Sequence, residues 1–453
     1  MSGAFWTPDR VTSALNGELN GARPCGATAL GSIATDTRTI RAGDVFLALI
    51  GERFDGHDFL AQAVELGAAA VVIARPERCA GLGVPVFAVK DTLLALGALA
   101  RFRRRSWGGT VIGVAGSNGK TTTKELLRAA IGSVLDVHAT EANLNNRVGV
   151  PLTLLALRDE ADVAVVELGT NLPGEVALLR GIAEPDIAVV TSIAEEHLEG
   201  LGDMAGVLRE ESASCEGASV AIVPADEAGL IAAARARARR VVTAGLDEGQ
   251  VRPTRWVIGD GGLGSLEMDA VPISLPLRGR HNLRNAMLAL ACARECSVGI
   301  PDAARGIAKM PAPRMRLGWE SLGGRGATLI NDAYNANPGS TRAALELLES
   351  VGAGRQRVAV LGTMRELGQH AERLHDDIAR TVLRSSIDVI AGIGDFAAPL
   401  AAAGDMRVIT APDVDQLWPL LSGRLSQDPV ILLKASRGVR LERLVPRLQE
   451  WAT

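Results

Sequence analysis

Residues 111–124 read V-I-G-V-A-G-S-N-G-K-T-T-T-K, and this stretch is the clearest functional signal in the chain. An apolar, β-branched run ends in glycines, and Lys120 with three threonines then opens a run of good helix formers. This order predicts a strand, a tight turn and a helix. Such a turn suits a polyphosphate, because glycines let backbone N–H groups approach the anion, a lysine adds charge and a threonine hydroxyl can ligate Mg²⁺.

The spacing is not that of the strict phosphate-loop pattern. Val114 stands where G-x-x-x-x-G-K-[ST] has its first glycine, so only the shorter pattern G-x-x-G-K-T is present. A glycine-rich turn in a chain with 50 glycines is often only a turn. The Lys-Thr pair and the strand-helix context nevertheless favour nucleotide binding. The candidate nucleotide-binding residues here are Gly116, Ser117, Asn118, Gly119, Lys120, Thr121 and Thr122.

Composition limits the class of protein. A chain of 453 residues has room for about three domains. Its 47% hydrophobic and 22% charged residues are typical of a soluble globular protein, and a net charge of −4 gives no reason to expect nucleic acid or an anionic membrane as partner. Five scattered cysteines favour reduced thiols, and no apolar run approaches the ~18 residues of a membrane span. We therefore expect a cytoplasmic protein without a membrane span. The oligomeric state is not readable from the sequence, and a monomer is our working assumption.

The hydrophobic pattern predicts an α/β protein of three domains. Residues 1–108 form a small α/β N-terminal domain, in which Arg103, Arg104 and Arg105 are expected to be a solvated helix end. Residues 109–312 alternate strand and helix behind the phosphate turn and predict a central P-loop ATPase-like domain with a mostly parallel sheet. Residues 232–240 are expected to be a solvated helix. After a linker at 310–313, residues 313–453 alternate again and predict a Rossmann-like C-terminal domain.

Polar residues stand where several predicted strands end. Glu167 closes the run D-V-A-V-V-E, and His197 follows I-A-V-V-T-S-I-A-E-E. A charged residue at a strand end is commonly just solvated. In a domain that holds a phosphate turn, however, a carboxylate and an imidazole at neighbouring strand ends become candidate ligands of Mg²⁺ or water. In the third domain similar positions are occupied by Asp332, Asn335 and Asn337, and by Lys434, Ser436 and Arg437.

Taken together, the motifs make the sequence resemble the Mur ligases, the ATP-dependent amide-forming enzymes that build the peptide of peptidoglycan. The resemblance covers essentially the whole chain. The family's segments look like D-T-R at 36–38, D-G-H-D-F at 55–59, N-L-N-N-R-V-G-V-P at 143–151, E-L-G-T-N-L-P-G-E at 167–175, H-L-E-G at 197–200, G-R-H-N-L-R-N-A at 279–286, M-R-L at 315–317, N-D-A-Y-N-A-N-P at 331–338, L-G-T-M-R-E-L-G at 361–368 and K-A-S-R at 434–437. Singly these are modest signals, but in this order they are very specific.

The resemblance implies a reaction and roles for residues. The γ-phosphate of ATP passes to the carboxylate of a UDP-muramoyl-tripeptide, and the amine of D-alanyl-D-alanine attacks the acyl phosphate. Cations and metal ions then carry most of the catalysis, because two anions must meet. By resemblance Lys120 holds the β- and γ-phosphates, Thr121 and Glu167 one Mg²⁺, and His197 a second. Further implied contacts are Asn282, Asn285, Arg316 and Asp332 to the nucleotide, Thr37, Arg38, Asn145 and Asn146 to the UDP-linked substrate, and Asn335 to the dipeptide.

One departure from the family concerns Glu211. The family usually has a lysine fourteen positions after the histidine of H-L-E-G, and CO₂ carbamylates it to a metal-associated carboxylate. Here Glu211 stands at that position, so we expect it to supply the negative charge directly and to be catalytic. The alternative is that Glu210 and Glu211 form a solvated helix face.

Other functions remain open from sequence. The N-D-A-Y-N-A-N-P block favours a D-alanyl-D-alanine-adding enzyme over the sister ligase that adds diaminopimelate or lysine, whose third domain is expected to carry D-N-P-R. A folylpolyglutamate-type ligase would leave the motifs of the first domain unexplained. A nucleotide-switch protein would hydrolyse ATP or GTP without an amino-acid co-substrate, and a purely structural protein has no use for such ligands.

Overall fold

The computed structural model describes residues 5–311 and 317–453. Four short parallel strands form its first sheet, in the order β1-β2-β3-β4. Val45 and Leu47 face one apolar cluster and Phe46 between them faces another, so the sheet is buried on both faces. The elements are β1 (Ile33–Ala34), β2 (Val45–Leu47), β3 (Ala70–Ile73) and β4 (Val86–Ala88), with helices α1 (Pro8–Ala14), α2 (Leu60–Glu65) and α3 (Thr92–Trp107). The expected small α/β domain is confirmed.

Six strands form the second sheet, in the order β10-β9-β8-β5-β7-β6. Apolar β-branched runs form strands of this kind when both faces are covered, and β7, β8 and β9 are buried along their whole length. The strands are β5 (Thr110–Ala115), β6 (Val137–Ala139), β7 (Val163–Glu167), β8 (Ile187–Val190), β9 (Val220–Pro224) and β10 (Val241–Ala244). The helices are α4 (Lys120–Ile131), α5 (Gly149–Leu155), α6 (Glu175–Ala183), α7 (Leu198–Leu201), α8 (Met204–Ser212) and α9 (Ala228–Arg235).

One expected helix is shorter than predicted. Helix α9 ends at Arg235, so the expectation of a helix through residue 240 is wrong beyond that point. Instead the chain turns, and the backbone N–H of Arg239 is donated to Ala218 O at 3.0 Å. The turn is needed because β10 starts at Val241 and pairs in parallel with β9.

A third sheet was not predicted from the sequence. It has three antiparallel strands, β11 (Arg255–Ile258), β12 (Leu263–Met268) and β13 (Val271–Arg278), and is followed by helices α10 (Arg280–Glu295) and α11 (Ile300–Ala308). Alternation of apolar and polar residues was its signal: Ile273, Leu275 and Leu277 are buried, while their neighbours are not. Two prolines in β13 obscured that pattern.

The fourth sheet has the order β14-β15-β19-β16-β17-β18. Only β14 is antiparallel to its neighbour. Separate apolar clusters cover its two faces, which confirms the expected Rossmann-like third domain. The strands are β14 (Gly318–Leu322), β15 (Ala327–Asp332), β16 (Arg357–Leu361), β17 (Val389–Ile393), β18 (Val408–Ala411) and β19 (Val430–Lys434), and the helices α12 (Pro338–Val351), α13 (Ala371–Leu383), α14 (Ala397–Ala401), α15 (Val414–Ser422) and α16 (Leu444–Ala452).

The described chain divides into two compact units. Unit 1 comprises the chain up to Gly113 with His138–Leu168 and Ala177–Asp186, and unit 2 comprises Val114–Val137, Gly169–Val176 and Ile187–Thr453. The predicted domain boundaries after residues 108 and 312 stay predictions, and residues 312 and 313 of the expected linker lie outside the described residues. All five cysteines are free thiols. Within residues 5–311 and 317–453, no helix combines the length and apolarity that crossing a bilayer requires.

Candidate active site

The phosphate turn joins β5 to α4. Gly116 has a φ of +116° and Gly119 a φ of +88°, a backbone region that favours glycine. Neither position has room for a side chain. A Cβ on Gly116 would lie 2.4 Å from Thr191 Oγ1, and a Cβ on Gly119 would lie 2.6 Å from Asn285 Oδ1. The glycines of the motif are therefore required both by backbone conformation and by space.

Three backbone N–H groups of the turn are held by protein acceptors. Gly116 N–H is donated to Glu211 Oε2 at 2.7 Å. Ser117 N–H is donated to Ser192 O at 2.8 Å, and Asn118 N–H to Ser192 Oγ at 3.0 Å. Because these three N–H groups already have acceptors within the protein, they stabilise the turn itself. We therefore assign anion binding at the turn to the positive N-terminal end of α4.

A charged cluster surrounds the side chain of Lys120. Its Nζ donates to Gly116 O at 2.5 Å and to Ser117 O at 3.4 Å, and lies 4.0 Å from Glu196 Oε2. Glu196 Oε1 in turn lies 3.2 Å from His197 Nε2. All three charged side chains are largely withdrawn from solvent, which strengthens the interactions between their charges. The structure thus brings together two predicted catalytic residues, Lys120 and His197.

His197 has a second carboxylate partner. Its Nδ1 lies 2.5 Å from Glu366 Oε2. Burial acts to lower the pKa of His197, but the carboxylates of Glu196 and Glu366 outweigh it and raise that pKa to about 9. At neutral pH the ring is therefore an imidazolium with one carboxylate near each of its nitrogens. A metal ion can bind this ring only after a proton and one of these contacts are lost, so the expected role of His197 as a Mg²⁺ ligand stays a prediction.

Two consecutive buried glutamates lie at the end of α8. Glu211 is 1% exposed and accepts the N–H of Gly116. Burial raises the pKa of the Glu211 carboxyl, while the charge of Lys120 acts in the opposite direction. Glu210 is 6% exposed and accepts the N–H of Gly174 at 2.7 Å. The alternative that this pair is a solvated helix face is therefore wrong.

The two asparagines predicted to contact the nucleotide lie in the first two turns of α10. Asn285 Nδ2 donates to Asn282 Oδ1 at 3.2 Å, and Asn282 Nδ2 donates to Arg278 O at 2.8 Å. Both side chains are buried. Because Asn285 lies directly beside Gly119, the pair borders the phosphate turn.

In unit 1, Glu167 ends β7 with 2% of its surface exposed. Its backbone N–H is donated to Thr140 Oγ1 at 3.0 Å, and Asn145 Nδ2 donates to its Oε1 at 2.9 Å. Two predicted site residues, Glu167 and Asn145, are therefore in contact. Asn146 accepts the N–H of Gly149 at 2.9 Å, at the start of α5, so its side chain serves the local backbone in this structure.

The first domain places Arg38 at its surface. The guanidinium pairs with Asp36, with 2.5 Å between Nη2 and Oδ2, and this hydrogen bond lowers the pKa of Asp36 to about 2. The Arg38 side chain is 87% exposed, and Thr37 next to it is half-buried, so both can meet a ligand. His57 of the D-G-H-D-F motif is buried, and its Nδ1 contacts Asp55 Oδ1 at 2.6 Å, which is a structural role.

In the third domain Asp332 and Lys434 form a buried ion pair at the ends of β15 and β19, with 2.6 Å between Oδ2 and Nζ. Lys434 Nζ also donates to Asn335 O at 2.7 Å. Asp332 Oδ1 accepts the N–H of Leu317 at 3.2 Å. Lys434 therefore holds both predicted residues of this segment, Asp332 and Asn335. The predicted residue Arg316 lies outside the described residues.

Sequence analysis missed two polar residues of this site, and it missed the distant partner of a third, Asn337. Glu196 lies between Lys120 and His197, and Glu366 contacts His197 from the third domain. Asn337 Nδ2 donates to Asn118 Oδ1 of the phosphate turn at 2.8 Å. All three lie inside or beside quoted motifs, but a motif does not identify a partner distant in the chain.

Comparison with known proteins gives three family matches in chain order. Residues 30–104 match the Mur ligase family catalytic domain, residues 114–293 the Mur ligase middle domain, and residues 314–437 the Mur ligase glutamate ligase domain. Three consecutive matches of this kind confirm the three-domain architecture.

Relatives resemble the chain over nearly its full length. The UDP-N-acetylmuramoyl-tripeptide–D-alanyl-D-alanine ligase of Bacillus subtilis is 35% identical over 93% of this chain and 94% of its own. A crystal structure of MurF from Acinetobacter baumannii has 32% identity, covers 98% of this chain and 99% of that one, and has a TM-score of 0.88. The MurF ligase of Thermotoga maritima in complex with ADP has 27% identity, covers 93% and 97%, and has a TM-score of 0.82. The chain therefore belongs to the Mur ligase family and is an ATP-dependent, amide-bond-forming ligase.

Proposed function

We propose that this enzyme joins D-alanyl-D-alanine to UDP-N-acetylmuramoyl-tripeptide at the expense of ATP, in the synthesis of the peptidoglycan precursor. The observation that carries the proposal is the similarity, over more than nine tenths of both chains, to a relative named for this reaction. The N-D-A-Y-N-A-N-P block of the third domain supports the same substrate pair.

The reaction has two steps. The terminal carboxylate of the tripeptide attacks the γ-phosphorus of ATP, so that ADP leaves and an acyl phosphate forms. The amine of D-alanyl-D-alanine then attacks the acyl carbon, loses a proton, and phosphate leaves as the amide forms. The first step brings anions together, so cations held at the phosphate turn lower its barrier most. Lys120 at the turn and the imidazolium of His197 nearby provide such charges.

The cofactor in this proposal is Mg²⁺, which would neutralise phosphate charge when bound. A threonine hydroxyl and a carboxylate are the hard oxygen donors that this ion prefers, and Thr121 and Glu167 fit as donors by chemical type. Among residues 5–311 and 317–453, no three His, Cys, Asp or Glu side chains are grouped as a metal site. In this proposal water and substrate phosphates would complete the shell of the ion.

Glu211 is proposed as a built-in carboxylate at the phosphate turn. Its burial and its bond to Gly116 N–H place it against the turn, near Lys120. The carboxylate balances cationic charge and fixes the backbone of the turn, without a carbamylated lysine.

The remaining assignments are also proposals. We place the nucleotide at the phosphate turn with Asn282, Asn285, Asp332 and Arg316, the UDP-linked substrate at Thr37, Arg38, Asn145 and Asn146, and the dipeptide near Asn335. We further propose a monomer without a nucleic-acid partner. We also propose a cytoplasmic location, because the proposed reaction consumes ATP.

Phosphate release by the purified enzyme with ATP and Mg²⁺ tests the proposal. One reaction contains UDP-muramoyl-tripeptide and D-alanyl-D-alanine, and the other UDP-muramoyl-dipeptide with diaminopimelate or lysine. We expect turnover only in the first. Turnover only in the second would assign the sister reaction, and nucleotide hydrolysis independent of any amino-acid substrate would indicate a switch protein.

A further inference from the structure

Two segments of unit 2 that lie far apart in sequence dock on each other. One is residues 197–202, which follow β8, and the other is residues 364–370, which follow β16. Leu198 and Leu201 of the first belong to the same buried apolar cluster as Met364 and Leu367 of the second. This apolar contact joins the middle domain to the third domain.

Backbone contacts fix the register of the two segments. Glu199 N–H is donated to Glu366 O at 3.1 Å. His370 Nε2 lies 3.0 Å from Gly202 O. The approach is close at Gly368, where a Cβ would lie 2.9 Å from the Cα of Glu199. None of these contacts uses the carboxylate of Glu366.

The Glu366 carboxylate is turned to the His197 ring instead. Oε2 lies 2.5 Å from Nδ1, the distance of a close ion pair. Both residues have a left-handed backbone conformation although neither is glycine, with φ of +65° at Glu366 and +53° at His197. Such conformations are sparsely populated and concentrate at functional sites. Here they let a side chain from each segment reach the other.

We propose that Glu366 is a positioning residue for the ligation reaction, holding the His197 ring from the third domain in the orientation in which His197 serves the phosphate turn. The inference rests on the proposed function. Glu196 bonds the opposite ring nitrogen, so the ring is fixed at both ends only while the third domain is docked. The site is then complete only in the docked state.

If Glu366 only stabilised the contact between the two segments, its substitution would change docking and stability. The Glu366 side chain is 54% exposed, and exposed ion pairs contribute little to stability. The apolar and backbone contacts hold the two segments together without the carboxylate. Glu366→Gln therefore leaves docking intact but removes the charge that faces the ring, which separates positioning from docking.

The first measurement is the ring signal of His197 in full-length enzyme labelled with ¹⁵N-histidine. The chain has six histidines, so His197→Gln identifies the signal. We expect the ring ¹⁵N signals of His197 to shift in Glu366→Gln, because Nδ1 loses the charged group that lies 2.5 Å from it. Glu372→Gln is the matched control, because Glu372 is exposed and has no contact with His197 among the described residues. An unchanged signal in Glu366→Gln would overturn the inference.

The second measurement is steady-state turnover with UDP-muramoyl-tripeptide, D-alanyl-D-alanine and ATP. We expect kcat to fall about tenfold in Glu366→Gln and further in Glu366→Ala, with KM values little changed, since the ring is mispositioned while the binding surfaces remain. Glu372→Gln should keep wild-type kcat. Wild-type kcat in both Glu366 variants would overturn the inference. Absence of ligation by the wild-type enzyme would instead overturn the proposed function, whatever the ring signal shows.

Discussion

At the scale of single residues, Glu211 differs most from what its sequence position suggests. A glutamate next to another glutamate on a short helix is usually solvated, yet this carboxylate is buried and accepts an N–H of the phosphate turn. Burying a charge without compensation is costly. The Gly116 N–H and the nearby charge of Lys120 offset part of that cost here, while burial still raises the pKa of the Glu211 carboxyl.

Replacing Glu211 by glutamine should therefore impair catalysis. The amide keeps the size of the side chain and an acceptor for Gly116 N–H but removes the negative charge. We expect kcat for phosphate release to fall about tenfold or more. Wild-type activity should not respond to added bicarbonate, because the carboxylate does not depend on CO₂.

Two further variants make the Glu211 prediction specific. Glu216→Gln removes an exposed carboxylate near the same helix and should be silent. Glu211→Lys introduces the residue usual in the family, so its activity should rise with bicarbonate. Full activity in Glu211→Ala, or a strong response of the wild type to bicarbonate, would contradict the prediction.

The residues that sequence reasoning identified well are those with local requirements. Gly116 and Gly119 could be predicted because a turn before a helix needs their backbone freedom. Glu196 and Glu366 could not be predicted. Glu196 lies near Lys120 and Glu366 near His197, and these contacts depend on how separate segments of the chain pack together. The neighbouring sequence indicates the local requirements of a residue, but it does not indicate which distant residues contact it.

At the scale of elements, the basic end of α3 is a correction. Arg103 and Arg104 were expected to be solvated, but they are 4% and 7% exposed. Arg104 donates to Ala183 O at 3.1 Å and pairs with Asp186 at 2.7 Å. Near the C-terminal end of α3, Arg104 is thus buried and bound to residues 183–186 within unit 1. Only Arg105, which pairs with Glu184 and is 58% exposed, fits the expectation.

Because Arg104 is buried and Arg105 is exposed, we expect their substitution by alanine to lower stability by different amounts. Arg104→Ala should lower the free energy of unfolding by about 3 kcal/mol, because buried carbonyl groups and a carboxylate lose their partner. Arg105→Ala should lower it by about 1 kcal/mol or less, since its ion pair is largely solvated. Urea unfolding followed by circular dichroism measures both. Equal shifts in the two variants would show that burial does not set the cost.

The sequence predicted the buried parallel strands but not the antiparallel pair of strands β12 and β13. The run at β9 is continuously apolar, a pattern that few other elements produce. In β12 and β13 apolar residues alternate with Ser, Glu and Pro, and the pattern is weak in a chain rich in glycine. Their order and pairing follow from contacts with each other, which single-segment patterns do not contain.

At the scale of the whole molecule, the order of domains could be predicted because each α/β domain has its own alternation of strand and helix. How the third domain meets the phosphate turn could not. Asn337 is an example: its side chain caps α12, and it also donates a hydrogen bond to Asn118 of the phosphate turn. One side chain thus serves both a local and a long-range contact.

The two roles of Asn337 can be separated by substitution. In Asn337→Ser the hydroxyl still caps α12, but the shorter side chain cannot reach Asn118. We expect the melting temperature to stay within about 2 °C of wild type, while kcat falls several-fold because the third domain loses its bond to the phosphate turn. Asn337→Ala should lose the cap as well, at about 1 kcal/mol. Thermal unfolding and phosphate release distinguish the cases: wild-type kcat in Asn337→Ser would show that the bond to Asn118 does not serve catalysis, and equal destabilisation of both variants would show that the cap is not preserved by serine.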